Sequence, residues 1–565
     1  MKIDYVHLKN FRNFKDAKIS LNYNTLLIGA NDIGKSNFLY SLRLLLDKSL
    51  SDADIEPTEL DFHIGAKGVL SADLQITVKF SDVKEDAVLS IMQGNLSDEG
   101  VIYLRYSANK STLKYSLFAG PDLDDINEIN SRFYLKYVSL KYIQSQRDLN
   151  SFIRKEKSQL LKHAQNSLAD DERAEDEDLL NEIGNDLNEL NEKISQLLYV
   201  EKATTEVNEE LKKLAHHHAE YNVTLDAGAI QVNDFIERLK LGATSAGSSV
   251  MLGGDGRNNQ ILLALWKARS IKEHDTKNEA MFYVVEEPEA HLHPHQQRKL
   301  ADYLINELPG QTLISSHSPQ IASSFKPDSI VRFLIKDSSY AASEGCSQCI
   351  EDGWEGMSYR MSILPAEAFF SNGVLLVEGP SELLFYRALA EKLSLDLDYY
   401  NLTILSVDGV SFKVYVGILN ALEIPWVMRT DNDVSKVPKK DEWQCAGINR
   451  CLDIFDGTRL NNVDKVFGPQ DVVDSGDWGR YSAKIGSKGI FLSKIDLEHD
   501  LVSEIPDLVK AALNKRSRAG CVKYLQGKKA LRMRELLRCI HNDLGCLGKT
   551  DLAKPLIDLI EIARA

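Results

Sequence analysis

Residues Gly29-Ala30-Asn31-Asp32-Ile33-Gly34-Lys35-Ser36 meet the pattern G-x-x-x-x-G-K-[ST] at every required position. Thr25-Leu26-Leu27-Ile28 before them reads as a buried strand, and Phe38-Leu39-Tyr40-Ser41-Leu42 after them as the first turns of a helix. Glycine lets backbone amides close round a polyphosphate, and the start of a helix adds a positive dipole. Lys35 is expected to reach the β- and γ-phosphates, and Ser36 to hold Mg²⁺. Gly29, Asn31, Gly34 and Asn37 complete the expected cradle. The stretch therefore predicts an α/β fold that binds a nucleoside triphosphate, taken as ATP.

The bulk properties set bounds around that site. A chain of 565 residues is too long for one core, so two to four domains are expected. Apolar content of 43% and charged content of 27% are those of a soluble globular protein. No apolar run is long enough to span a bilayer, and no signal peptide precedes Met1-Lys2-Ile3-Asp4, so a cytoplasmic protein without membrane contact is expected. Seven cysteines form an odd, sparse set that suits a reducing compartment. Cys346-Ser347-Gln348-Cys349 has no second pair to complete a zinc site. A net charge of -16 argues against a chain coated with nucleic acid but leaves room for a local basic patch.

Texture along the chain marks its organisation. Val6 to Phe14 and Ala17 to Leu21 alternate as β structure, and strands are expected again around 69–80 and 101–118. From about 150 to 240 glycine and proline nearly vanish, and Leu179, Ile183, Leu187, Leu190, Ile194 and Leu197 recur at helical spacing. A helical insertion, a coiled arm, is expected there. Its acidic run from Asp170 to Asp178 reads as a solvated face, and His216-His217-His218 point in different directions on a helix. Strand-and-helix texture returns after 250, with a main boundary expected between about 345 and 370.

Distant pieces join the phosphate loop. Met281-Phe282-Tyr283-Val284-Val285 reads as a buried strand that ends in Glu286-Glu287-Pro288-Glu289. The C-terminal ends of strands carry ligand chemistry in doubly wound sheets. Glu286 is expected to hold the water shell of Mg²⁺, and Glu287 to polarise the attacking water. Leu313-Ile314-Ser315-Ser316-His317 is a strand ending in a histidine placed to sense the γ-phosphate. Leu252-Gly253-Gly254-Asp255-Gly256 precedes a helix and is suited to present amides to a second ATP. Together these segments resemble the ATPase heads of the ABC, SMC and RecF class, in which two heads sandwich two nucleotides. Gly253 stands where that class has a signature serine, and Gln144 is the expected link from nucleotide to neighbouring domain.

A second set of acids follows. Val374-Leu375-Leu376-Val377 is an apolar strand ending in Glu378-Gly379-Pro380-Ser381-Glu382, and Trp426 to Thr430 ends in Asp431-Asn432-Asp433. Period-two geometry is expected to put Asp431 and Asp433 on one face. Leu492 to Leu501 brings Asp496 and Glu498 at alternate positions. Oxygen ligands without His or Cys suit Mg²⁺ or Mn²⁺, and Glu378, Glu382, Asp431, Asp433, Asp496 and Glu498 are the expected ligands of two cations for an in-line phosphodiester displacement. Between Lys510 and Arg538 lie ten basic residues and one acid, Glu535, a stretch suited to tracking phosphates.

The second set resembles a Toprim domain, and the pairing with an ABC-type head resembles the OLD family of nucleases. Val407-Asp408-Gly409 departs from the glycine pair of the most similar members. The resemblance implies an α/β chain with an ABC/RecF-like ATPase head in two parts (1–150 and 241–350), interrupted by a helical dimerisation arm (151–240). A C-terminal Toprim nuclease domain (365–565) follows. It implies an ATP-regulated DNA endonuclease of anti-phage defence that nicks or cleaves double-stranded DNA. It also implies self-association as a dimer or tetramer and a UvrD-like helicase partner. Tyr524 to Lys529 resembles the family segment that supplies an active-site lysine, expected to be Lys529 with Lys528 as the alternative, to stabilise charge on the pentavalent phosphorus. Two other classes share these motifs: a primase-like Toprim nucleotidyltransferase, and an ATP-driven DNA clamp without nuclease activity.

Overall fold

A computed structural model describes residues 1–65, 68–143, 149–199, 277–290, 292–346, 363–407, 412–455 and 457–564, with a few short pieces between. The chain forms two compact units, Met1–Ser145 with Asp275–Ala565, and Gln146–His274. In the second unit the expected helices run over Leu149–Asn166 and Asp170–Ser195. Among the described residues no helix is long and apolar enough to cross a membrane.

The first unit contains three main sheets. One is antiparallel, in the order Phe14–Ser20, Lys2–Phe11, Asp73–Ser81, Ile102–Asn109, Lys114–Gly120, Asn127–Ile129. The stretch expected as strand over 101–118 is thus a hairpin, turning after Asn109. The second sheet is built on β1 (Asn24–Ile28), β2 (Val138–Ile143), β3 (Ala280–Glu286), β4 (Gln311–Ser315) and β5 (Ile330–Ile335). Its order is β5-β1-β4-β3-β2, all parallel, with Ser339–Ala341 added antiparallel outside β5. Strands covered on both sides read as unbroken apolar runs, which is why Leu26-Leu27-Ile28 and Phe282 to Val285 are fully buried. The third sheet is also parallel, in the order β7-β6-β8-β9, from β6 (Gly373–Val377), β7 (Leu402–Ser406), β8 (Trp426–Thr430) and β9 (Ile490–Leu492).

Helix α1 (Lys35–Leu46) follows the phosphate loop and buries Phe38, Leu39, Leu42 and Leu45 at helical spacing. On the third sheet, α2 (Pro380–Lys392), α3 (Leu497–Glu504), α4 (Arg518–Gln526) and α5 (Lys529–Ile540) share one apolar core with β6 and β8. Their packing sets the starts of α2, α3 and α5 beside the strand ends that bear acids.

Candidate functional site

The phosphate loop has the expected strand–loop–helix form. Gly29 adopts φ 146° and packs so closely that a Cβ there would lie 2.9 Å from the Phe333 carbonyl oxygen. Lys35 is buried, and its ammonium donates to the Gly29 and Ala30 carbonyls at 2.9 and 2.8 Å. Burial lowers its pKa against the pull of Glu287 and Asp32. Asn31 and Ser36 are exposed on the loop side, whereas Asn37 is engaged by Asn13 and Arg12.

The acids that end β3 lie across from this loop. Glu286 is buried and accepts from the Tyr142 hydroxyl at 2.7 Å, while its Oε1 has no hydrogen-bond partner among the described residues. Glu287 stands 3.7 Å from His317, whose pKa burial and Lys35 lower. Glu289, given no role from sequence, accepts from Ser316 Oγ at 2.7 Å and from the His317 amide at 2.8 Å. It therefore fixes the turn that carries His317. Lys35, Glu286, Glu287 and His317 thus lie near one another. Gln144 and the Leu252–Gly256 loop lie outside the described residues.

The second site forms where β6 and β8 end. Glu378 Oε1 accepts from the Asp431 amide at 2.9 Å and from Thr430 Oγ1 at 2.5 Å, so the two strand ends are tied together. Glu382 in the first turn of α2 is buried, and its pKa is pushed up to about 7 by burial and by Glu498 and Glu378. Asp431 is raised well above the usual range by burial, then by Glu378, Glu382 and Asp496. Glu498 is raised by burial and Asp496, and its Oε2 is buried with no hydrogen-bond partner among the described residues. Burial alone would lower the Lys529 ammonium, but Asp431, Glu498, Glu382 and Glu378 together raise it. Lys529 opens α5 and faces this cluster.

Two expectations need correction. β8 stops at Thr430, so Asp431 and Asp433 lie beyond the pleat and do not share a strand face. Asp431 is buried, whereas the Asp433 side chain is half exposed. Likewise Asp496 and Glu498 are not alternate strand residues. Asp496 is the N-cap of α3, accepting from the His499 amide at 2.8 Å, and Glu498 lies in its first turn. The capping pattern of an aspartate ahead of an apolar helix start was present in the sequence.

Two residues went unforeseen. Arg450, on the helix Ala446–Asp453, donates to Glu378 and, at 2.8 Å, to Asp433. Gly447 lets that helix approach, because a Cβ there would lie 2.3 Å from the Asp431 carbonyl oxygen. A lone arginine in a short helix carries no sequence signal for this placement.

The donor set suits hard divalent cations: it is carboxylates only, Glu382, Asp431 and Glu498 are raised in pKa by burial and by neighbouring acids, and the buried Glu498 Oε2 is unpartnered among the described residues. Among the described residues no three acids, histidines or cysteines already surround one point at metal-ligating distance. Arg450 is ion-paired with both Glu378 and Asp433.

Comparison with known proteins follows the same division. A family model described as the AAA ATPase domain matches residues 1–322, and one described as the Overcoming lysogenization defect protein-like TOPRIM domain matches residues 369–433. The chain is 26% identical over 568 residues to endonuclease GajA of Bacillus cereus (strain VD045), covering 95% of each protein. It is 22% identical over 462 residues to the Old nuclease of Escherichia phage P2, covering 77% of each. Among solved structures, an SMC head bound to the C-winged helix domain of ScpA overlaps 60% of this chain and 97% of its own, at 16% identity and a TM-score of 0.39.

Proposed function

The chain belongs to the AAA ATPase domain family and, with its OLD-like TOPRIM domain, to the OLD-family nucleases, and we propose that this endonuclease nicks or cleaves double-stranded DNA at the acid cluster under control of the ATP site. The observation that supports this reading best is the meeting of Glu378 and Glu382 with Asp431, Glu498 and Lys529, drawn from four segments far apart in the chain.

Glu378, Glu382, Asp431, Asp433, Asp496 and Glu498 would hold the cations. Mg²⁺ or Mn²⁺ bound there supplies positive charge that activates water and stabilises a leaving oxygen. Lys529 faces the same acids and is set to steady charge on the scissile phosphate. Asp496, tied by His499 and by Gln526 at 2.6 Å, keeps the start of α3 and its Glu498 in place. Arg450 is bonded to both Glu378 and Asp433 and would have to yield their oxygens to a cation.

At the other site Lys35 and the loop amides would hold the triphosphate, Ser36 its Mg²⁺ and Glu286 the water shell of that ion, while Glu287 would polarise the attacking water and His317 sense the γ-phosphate. The division into a head (1–150 and 241–350), an arm (151–240) and a Toprim domain (365–565) is part of the proposal. So are self-association through head and arm, a cytoplasmic role in anti-phage defence, and a UvrD-like helicase partner.

Supercoiled plasmid incubated with Mg²⁺ or Mn²⁺, with and without ATP, tests the reading. The protein is expected to relax or linearise the plasmid. Glu378→Ala is expected to abolish cutting, and Lys35→Ala to weaken its response to ATP. Intact plasmid under every metal condition overturns the endonuclease.

A further inference from the structure

Arg332 is a charged residue inside the apolar strand β5, and it is 7% exposed. A guanidinium carries five N–H donors and keeps its charge, so burial is tolerable only with acceptors at hand. Those acceptors come from the neighbouring sheet. Nη1 donates to the Leu422 and Glu423 carbonyls at 3.1 and 2.9 Å, and Nη2 to the Ser371 carbonyl at 3.0 Å.

These carbonyls lie at informative places. Ser371 stands just before β6, and Leu422 and Glu423 just before β8. The far ends of those two strands lead into Glu378 and Asp431. One side chain thus grips the starts of both strands whose ends carry the central acids. The Glu423 turn, at φ 49°, is held from further points as well. Its carboxylate accepts from the Tyr340 hydroxyl at 2.9 Å and the Ser343 amide at 3.0 Å, and Ser343 Oγ donates to the Ala421 carbonyl at 2.8 Å.

The other side of β5 faces the phosphate loop. Arg332 is paired in register with Ile28, the residue before Gly29. The carbonyl of the next residue, Phe333, leaves no room for a Cβ on Gly29. Lys35 is bonded to the Gly29 carbonyl, so drawing its ammonium onto a phosphate would release the very residue that rests on Phe333. From loop to acids the path is short: Gly29, Phe333, Arg332, then two strands of five residues each.

We propose that Arg332 is a positioning residue that transmits the state of the phosphate loop to the starts of β6 and β8, and so to the acids at their ends. The proposal rests on the ATP-controlled endonuclease and names the residue through which control passes. A merely structural Arg332 would lower stability without touching the response to nucleotide, so that response is the quantity to measure.

Hydrogen exchange of the full chain, with and without ATP and Mg²⁺, provides it. In the unaltered protein ATP is expected to slow exchange in the phosphate loop and also to change it in segments 371–374 and 422–427. In Arg332→Gln, ATP is expected to bind within about threefold of its normal affinity. The response at 371–374 and 422–427 is expected to fall at least about threefold, and the factor by which ATP alters plasmid cutting to fall towards one. Where Arg332→Gln does not fold, Arg332→Lys serves, because an ammonium keeps the charge but cannot span three carbonyls. The proposal is overturned if those segments ignore ATP in the unaltered protein, or respond equally in the variant. Failure of both proteins to cut any plasmid would instead overturn the endonuclease, since exchange is read without cutting.

Discussion

The Arg450 guanidinium donates to the carboxylate of Glu378, so the acid that ends β6 is met by a cation from the protein itself. The same guanidinium holds Asp433. A divalent ion held as proposed would therefore compete with Arg450 for the same oxygens. Arg450→Gln is expected to bind Mn²⁺ about three- to tenfold more tightly, as titration calorimetry would measure. Unchanged or weaker binding would show that Arg450 does not oppose the metal.

Gly447→Ala probes the packing beneath that arginine. A methyl group would meet the Asp431 carbonyl oxygen at 2.3 Å and the Asp433 amide nitrogen at 2.7 Å. The helix or the acid loop must then shift. Cutting is expected to fall by about a hundredfold, because misplacement of about 1 Å is costly at a reacting centre. ATP binding, measured with a fluorescent analogue, should stay near normal, and normal cutting would refute the tight approach.

Glu382 gives a pH signature to the metal-free protein. Burial and neighbouring carboxylates push its pKa up to about 7 from the ordinary glutamate value of 4.5. The folded state thus holds this proton more tightly than the unfolded chain. Its stabilising contribution is complete below about pH 4.5 and is lost as pH rises through about 7. Between pH 6 and pH 8, Glu382→Gln should lose about 1 kcal/mol less than the unaltered protein, measured by denaturant unfolding in chelator. Equal losses in both proteins would contradict the raised pKa.

Lys523, Arg534 and Arg538 are exposed on α4 and α5, the elements that lead into and away from Lys529. If they follow a DNA backbone, replacing all three by alanine weakens duplex binding and lowers the slope of log affinity against log salt by roughly 3. Fluorescence anisotropy over a salt series measures both. An unaltered slope would move the DNA path elsewhere.

The parts legible in the sequence were those with a local cause. Gly29, Gly34 and Lys35 are spaced by the needs of a phosphate, and the flanking apolar runs announce β1 and α1. The strand ends at Glu286, Glu378 and Asp431 were legible because acids abruptly follow buried strands. Asp496 was misjudged because alternation looks alike in a strand and in a short capped helix start. Asp433 was misjudged because the strand stops one residue before the motif begins. Arg450 and Glu289 act through partners far away in sequence, which no local period records. Arg332 did leave a trace, a single cation within Ile330-Val331-Arg332-Phe333-Leu334-Ile335, but its acceptors lie 39 to 91 positions away.

The unit from Gln146 to His274 departs after β2 and rejoins ahead of β3, and those two strands are direct parallel neighbours. Parallel neighbours cannot be joined by a tight turn, so some long connection is obligatory at this point. The insertion occupies a detour that the sheet requires in any case. The length of that detour can change without altering the hydrogen-bonded ladder between Val138–Ile143 and Ala280–Glu286.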